Sequence, residues 1–236
     1  SILPHWTYAC HRMALVCEKS RLRALLHRAL ESGNASDRQE AQRLASRYFR
    51  DIHALKLEYL RLWDQESAPY SRDLICERYD ALGREVQEAF CHVFIDMDSS
   101  QNGIFVRLRT ISDLPIFYPL DGRKPTEGST LYKMPVVLHE SRTVKAMTMD
   151  QWGNRYESEQ YLLCHKGMGH LAKLNSDYSS YQPWYSGGGT SALADGVMGS
   201  DLRYSDGHWQ GYWGKDIDVT FDFQAPASVS AITMRF

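Results

Sequence analysis

The stretch Asp96-Met97-Asp98-Ser99-Ser100-Gln101-Asn102-Gly103-Ile104-Phe105-Val106-Arg107-Leu108-Arg109-Thr110 divides the chain in two. Ahead of it, apolar residues recur with the period of a helix. From it onward they alternate. Ile104, Val106 and Leu108 fall on one side and Phe105, Arg107 and Arg109 on the other, the period-two signature of a strand. Residues 96–103 are therefore read as a helix-to-strand junction.

Working back from the junction, residues 1–98 read as helical. Helix one is expected from about Thr7 to Glu31, with Cys10, Met13, Cys17, Leu25 and Leu26 on its apolar side. A loop at residues 32–35 follows. Ser36 stands three residues before Gln39, a capping-box spacing that starts helix two. Its apolar stripe is Leu44, Tyr48, Ile52, Leu55, Tyr59 and Trp63, and Pro69 stops it. Helix three follows Ser71 and carries Ile75, Tyr79, Leu82, Val86, Phe90 and Val93. Three amphipathic helices with short loops predict an antiparallel bundle, or helices that pack on a neighbouring domain.

Working forward, residues 117–119 lead into the turn Asp121-Gly122, residues 143–149 alternate, Trp152-Gly153-Asn154 is a second turn, and residues 156–163 form a closing strand. Short strands at this density predict a small β-sandwich. Another β segment begins near Lys166. It contains the flexible loop Gly187-Gly188-Gly189, turns at Asp195-Gly196 and Asp206-Gly207, a clean alternation of Ile217, Val219, Phe221 and Phe223, and a less regular strand-like run at residues 231–236.

The chain has 236 residues and a formal net charge of −2, so no polybasic surface drives its binding, and nucleic acid and anionic membrane are disfavoured partners. No apolar run approaches the ~20 residues that span a bilayer. The five cysteines, Cys10, Cys17, Cys76, Cys91 and Cys164, form no CxxC pair, and the nine histidines make no zinc spacing. Buried free thiols are expected. No signal-peptide pattern precedes the helical body at residues 6–15, and Phe236 falls inside a strand-like run. Both ends read as cut, so the chain is expected to be a fragment of a longer product.

Two stretches resemble known families. The first is Phe117-Tyr118-Pro119-Leu120-Asp121-Gly122-Arg123-Lys124-Pro125-Thr126, with Leu131-Tyr132, Pro135 and Thr143-Val144-Lys145-Ala146. It resembles the small Ig-like domain at the C-terminal end of chitobiases and related bacterial glycoside hydrolases, with Pro119 departing from the usual small polar residue. The second is His165-Lys166-Gly167-Met168-Gly169, Tyr185, Gly187-Gly188-Gly189, Ala192-Leu193-Ala194-Asp195-Gly196, Gly199, Asp206-Gly207-His208-Trp209-Gln210-Gly211-Tyr212 and Asp216-Ile217-Asp218-Val219-Thr220-Phe221-Asp222. It resembles the first half of a discoidin-like (coagulation factor type C) β-sandwich appended to bacterial family 20 β-N-acetylhexosaminidases. Tyr59, Leu62-Trp63, Pro69-Tyr70 and Arg78-Tyr79 resemble helices that follow the catalytic barrel in such enzymes.

The expected fold is multidomain α plus β. It comprises a three-helix bundle over 1–98, an Ig-like β-sandwich over 99–164, and the N-terminal half of a discoidin-like module over 165–236. The resemblance implies a noncatalytic accessory region of a β-N-acetylhexosaminidase-like glycoside hydrolase. It implies the catalytic barrel of the parent enzyme as partner, and a bacterial periplasmic, outer-membrane-attached or secreted location. The rival reading is a purely structural spacer or interaction module with no ligand.

Family 20 hydrolysis resembles substrate-assisted catalysis by an adjacent Asp-Glu pair. The chain contains no Asp-Glu dipeptide and is expected to be inactive alone. Asp64, Glu66, Asp96 and Asp98 read as solvated helix ends and turns. Binding is another matter, because sugars are held by aromatic faces and planar polar groups. Arg203, Tyr204, His208, Trp213 and Trp184 are the candidate residues for a glycan containing N-acetylhexosamine or galactose. Trp209 has two readings, core packing and sugar contact, and in the resembled module its counterpart packs in the core. Trp63 and Trp152 read as core or interdomain wedges. The resemblance also allows a structural Ca²⁺, with Asp195 and Ser200 at its carboxylate and hydroxyl positions and Val197 where Asn or Asp is usual.

Overall fold

A computed structural model describes residues 2–66 and 71–235. Three helices come first: α1 (Leu3–Ser32), α2 (Ala35–Glu66) and α3 (Arg72–Cys91). Among the described residues nine short strands follow, in antiparallel sheets. The protein is α plus β, with a helical N-terminal region and sandwich-like β parts. Contacts divide it into two compact units, one of residues 1–92, 110–114 and 148–156, the other of 93–109, 115–147 and 157–236.

In the helical unit, α1 ends at Gly33, whose φ of +61° is the left-handed cap that glycine adopts without a Cβ penalty. The start of α2 departs from the capping box expected at Ser36. Asn34 is the cap: its side-chain oxygen accepts the Ser36 N–H at 2.9 Å, and Ser36 already lies inside the helix. The glycine turn delivers the chain to Asn34, and Asn caps as well as Ser. The expected stop at Pro69 and the Pro69-Tyr70 motif lie outside the described residues.

The α2 stripe is as expected, with Tyr48, Ile52 and Leu55 buried and Leu44 and Tyr59 packed at its margin. On α3, Tyr79, Val86 and Phe90 are buried. The α1 expectation holds at Leu25 and Leu26, which pack in the core, and fails at its other three residues. Its buried face is Leu15, Glu18, Leu22, Leu26 and Ala29, whereas Cys10, Met13 and Cys17 are exposed. The helix is apolar on two sides, so periodicity alone could not say which side faces the bundle. The buried thiol is Cys91, and Cys76 and Cys164 are half-buried. α1 and α3 are tied by the Tyr8–Tyr79 hydroxyl pair and by Glu85, which receives Lys19 at 2.6 Å and Arg23 at 2.7 Å, and α2 is tied to α3 by Lys56, which donates to Asp80 at 2.7 Å.

The same unit holds a tight turn. Asp150, only 5% exposed, accepts the N–H groups of Trp152 (3.0 Å) and Asn154 (2.9 Å), the Asn154 side-chain amide (2.9 Å) and the Tyr156 hydroxyl (2.9 Å). Gly153, at φ +84°, completes the turn. Trp152, read as a wedge, is 70% exposed at its tip.

In the second unit, β1 (Phe94–Ser100) pairs with β2 (Gly103–Arg109), which pairs with β5 (Val136–Leu138). A second sheet orders β4 (Thr130–Leu131), β3 (Phe117–Tyr118), β6 (Arg142–Met149) and β7 (Arg155–Leu162) side by side. The alternation in β2 is realised: Ile104, Val106 and Leu108 are buried. With Ile116, Leu138, Ala146 and Leu162 they form the core. Asp96 and Asp98, read as a junction, lie within β1.

Residues beyond β7 form a two-stranded sheet, β8 (Leu171–Leu174) with β9 (Val219–Asp222), and two 3-10 turns, Pro183–Tyr185 and Thr190–Ala194. The strand expected over 216–223 is shorter than its alternation. Residues 231–235, expected as strand, have no regular structure; they pair with no neighbouring strand, and an alternating run becomes a strand only against such an edge. Phe236 lies outside the described residues.

Candidate functional site

The candidate residues after β8 sit on loops organised by two Asp-Gly turns. In the first, Asp195 accepts the Val197 N–H at 2.7 Å, and Gly196 takes φ +84°. In the second, the two oxygens of Asp206 accept the N–H groups of His208 (2.9 Å) and Ser200 (2.5 Å). These are the turns that short Asp side chains stabilise by bonding two residues ahead. The Ser200 carbonyl in turn accepts the Trp209 indole N–H at 3.1 Å.

Trp209 is built into this framework. A Cβ at Gly199 would overlap its ring. Tyr204 meets it edge-on, with centroids 5.4 Å apart, and the Arg235 guanidinium lies 5.7 Å from its centroid. Arg235 also pairs with Asp201 and donates to the Gly199 carbonyl at 3.3 Å. The ring thus packs inside its own turn, the core-type role of the two considered. Tyr204 remains 65% exposed, and Arg203 and His208 are also exposed.

A second aromatic group forms elsewhere on these loops. Trp213 is 79% exposed and stands T-shaped to Tyr181, itself 73% exposed, with centroids 6.3 Å apart. Trp184 is partly exposed and stands 6.2 Å from Tyr185. The segments carrying these rings are tied by main-chain bonds. Ser179 N–H donates to Gly211 O (2.6 Å) and Gly211 N–H to Tyr185 O (3.0 Å), and Ser186 pairs with Gln210 in an antiparallel bridge. The Gln210 amide reaches Gly189 O at 2.7 Å and accepts the Tyr212 hydroxyl at 2.9 Å. The structure therefore brings together Tyr204 with Trp209, and Trp213 with Tyr181. Tyr181 is a residue that sequence reasoning missed. Its signal was the aromatic density of Tyr178, Tyr181, Trp184 and Tyr185 just ahead of the glycine loop.

The electrostatics centre on Asp195. Burial raises its carboxyl above the usual range, opposed by the Val197 N–H and the nearby His208 and His165. Burial lowers His165, with Asp195 acting against that shift. Asp195 and Ser200 supply at most two side-chain ligands of the 6–8 oxygens that Ca²⁺ takes. Among the described residues no group of three or more His, Cys, Asp or Glu side chains is arranged to hold a metal ion.

Other titratable clusters are structural in form. A groove of about 340 Å³ along α1 and α2 is lined by His11, Glu18, Arg47, Asp51 and Glu58, among others. Its carboxylates are partnered: Glu18 and, at 3.7 Å, Asp51 pair with Arg47, and Glu58 meets the His11 ring nitrogen at 2.8 Å. Cys91 is pushed up to about 11 by burial, then by the Asp150 charge, the opposite of an activated thiol.

One known family is similar to the middle of the chain. Residues 98–159 match the chitobiase/beta-hexosaminidase C-terminal domain family. The matched span takes in the Asp121-Gly122 turn, the Leu131-Tyr132 pair and the Thr143-Val144-Lys145-Ala146 strand that carried the resemblance. In the matched span these residues have plain structural roles. Tyr118 and Tyr132 pack edge-on at 6.0 Å. Asp121 accepts the Arg123 N–H at 3.1 Å with Gly122 at φ +75°. The Arg142 side chain donates to the Leu120 carbonyl at 2.8 Å. No curated protein matches the chain. No helix among the described residues is long and apolar enough to cross a membrane.

Proposed function

We propose that the chain is a noncatalytic accessory region of a β-N-acetylhexosaminidase-like glycoside hydrolase, acting outside the bacterial cytoplasm, in the periplasm, on the outer membrane or secreted. The match of residues 98–159 to a domain found at the C-terminal end of such enzymes carries this reading. The chain's lack of an Asp-Glu dipeptide agrees with it.

Two surfaces support particular roles. The first is the outer face of α1, where Leu3, Trp6, Cys10, Met13, Val16 and Cys17 are exposed along one side. From Leu3 to Cys17 their spacing of three and four residues makes a stripe about 20 Å long. It carries no charge, and it is the face that would brace the catalytic barrel by burying apolar surface. The second is the discoidin-like segment, whose Tyr181–Trp213 pair offers two solvent-facing rings to a pyranose. Tyr204, Arg203, His208 and Trp184 flank the same loops in sequence.

The test is a titration of the whole chain with N-acetylglucosamine and with galactose to millimolar levels, followed by indole N–H resonances. The Trp213 signal shifts, and Trp213→Ala and Tyr181→Ala abolish the response. Absence of any shift would favour the ligand-free spacer. Hydrolysis of an aryl N-acetylglucosaminide above background by the purified chain would overturn the noncatalytic reading.

A further inference from the structure

The segment after β7 returns to the sandwich it leaves. Val197 pairs with Leu162 in an antiparallel bridge, and the Leu163 N–H donates to the Gly196 carbonyl at 2.8 Å. Gly196 has φ +84°, and any Cβ there would fall onto the Leu163 carbonyl and crowd the Ile104 side chain. Only glycine permits this approach. Two further points fix the same segment. Met168, 6% exposed, belongs to the core made by Ile104, Val106 and Leu162. Gly169, at φ +68°, is pressed against the backbone of Ser100 and Gln101, where a Cβ would also overlap.

One attachment is a pivot. Two attachments, one at the consecutive Met168 and Gly169 and the other at Gly196, remove the swing that a single pivot leaves. Independent motion is the default for neighbouring modules joined by a linker or a small polar interface. Here the joint is glycine-tight backbone, main-chain hydrogen bonding and a shared apolar core.

We infer that the Ig-like sandwich and residues 165–235 turn as a single rigid body, latched at Gly196. The exposed Tyr181–Trp213 pair is thereby presented at a fixed angle to the sandwich instead of swinging on a linker. The latch concerns motion only and stands whether or not the aromatic pair binds sugar.

The test is backbone ¹⁵N relaxation on the whole labelled chain, comparing amides of β2 and β6 with those of β8 and β9. In the wild type the two groups report one rotational correlation time. In Gly196→Val the β8–β9 value becomes about twofold shorter, as expected for a smaller body moving alone. Gly207→Val is the control: it has the same φ of +84° but nothing within 4 Å of the added carbon, and it keeps a single correlation time. Two distinct times in the wild type would overturn the inference, even if Gly196→Val fails to fold. A single time in a folded Gly196→Val would overturn the latch.

Discussion

Replacing Asp150 by alanine removes the acceptor for four donors at once: two backbone N–H groups, one amide and one phenol. Each buried donor left unsatisfied costs about 1–3 kcal/mol. Trp152 is exposed at the turn's tip, so water can reach part of the vacated space. The expected loss is therefore about 3 kcal/mol, well below the sum of the separate penalties. Asp150→Asn keeps one acceptor oxygen and is expected to cost about 1–2 kcal/mol. Urea melts followed by the helical circular-dichroism signal measure both. The acid limb gives an independent reading. Burial raises the Asp150 carboxyl, but its hydrogen bonds from Asn154, Tyr156 and Trp152 outweigh that and hold it below its ordinary value. A depressed folded-state value means that the unfolded chain binds the proton first. The stabilisation is then complete above the unfolded value of about 3.9, and it is lost as pH falls through the lower, folded value. Asp150→Asn should lose this part of the acid dependence. A loss under about 1 kcal/mol for Asp150→Ala, or an acid limb unchanged in Asp150→Asn, would refute the assignment of the turn's stability to this carboxylate.

Two further substitutions test local claims. Asn34→Ala removes the cap of α2 and is expected to cost about 1 kcal/mol in the same melts, while Ser36→Ala, inside the helix, costs much less. Gly103→Ala is expected to cost about 2 kcal/mol or more, because Gly103 sits at φ +126° with the Leu138 carbonyl in the way of a Cβ. Gly122→Ala, at φ +75° with open space around it, should cost about 1 kcal/mol.

Much of the architecture was legible because it rests on periodicity. Tyr48, Ile52 and Leu55 repeat with a helical period and are buried; Ile104, Val106 and Leu108 repeat with period two and are buried. Turns declared themselves through Asp-Gly and Gly-Asn pairs, since a left-handed residue and a short acceptor are local requirements. The candidate site was legible only in part. Trp209 and Trp213 are near neighbours in sequence, yet Trp209 packs against Gly199 and Tyr204 while Trp213 stands exposed beside Tyr181. No local rule separates them, because the difference lies in partners at a distance along the chain.

By itself, then, the sequence determined that a helical region gives way to strands, though the change comes at residues 92–93, ahead of the expected junction at 96–103, and it determined which face of α2 and β2 is apolar and where the chain must turn. These depend on residues within a few positions of one another. Tertiary structure alone decided which of α1's two apolar sides is covered and that Gly196 seats on Leu163. Each of those outcomes is a choice between locally equivalent options, and only contacts with the rest of the fold break the tie.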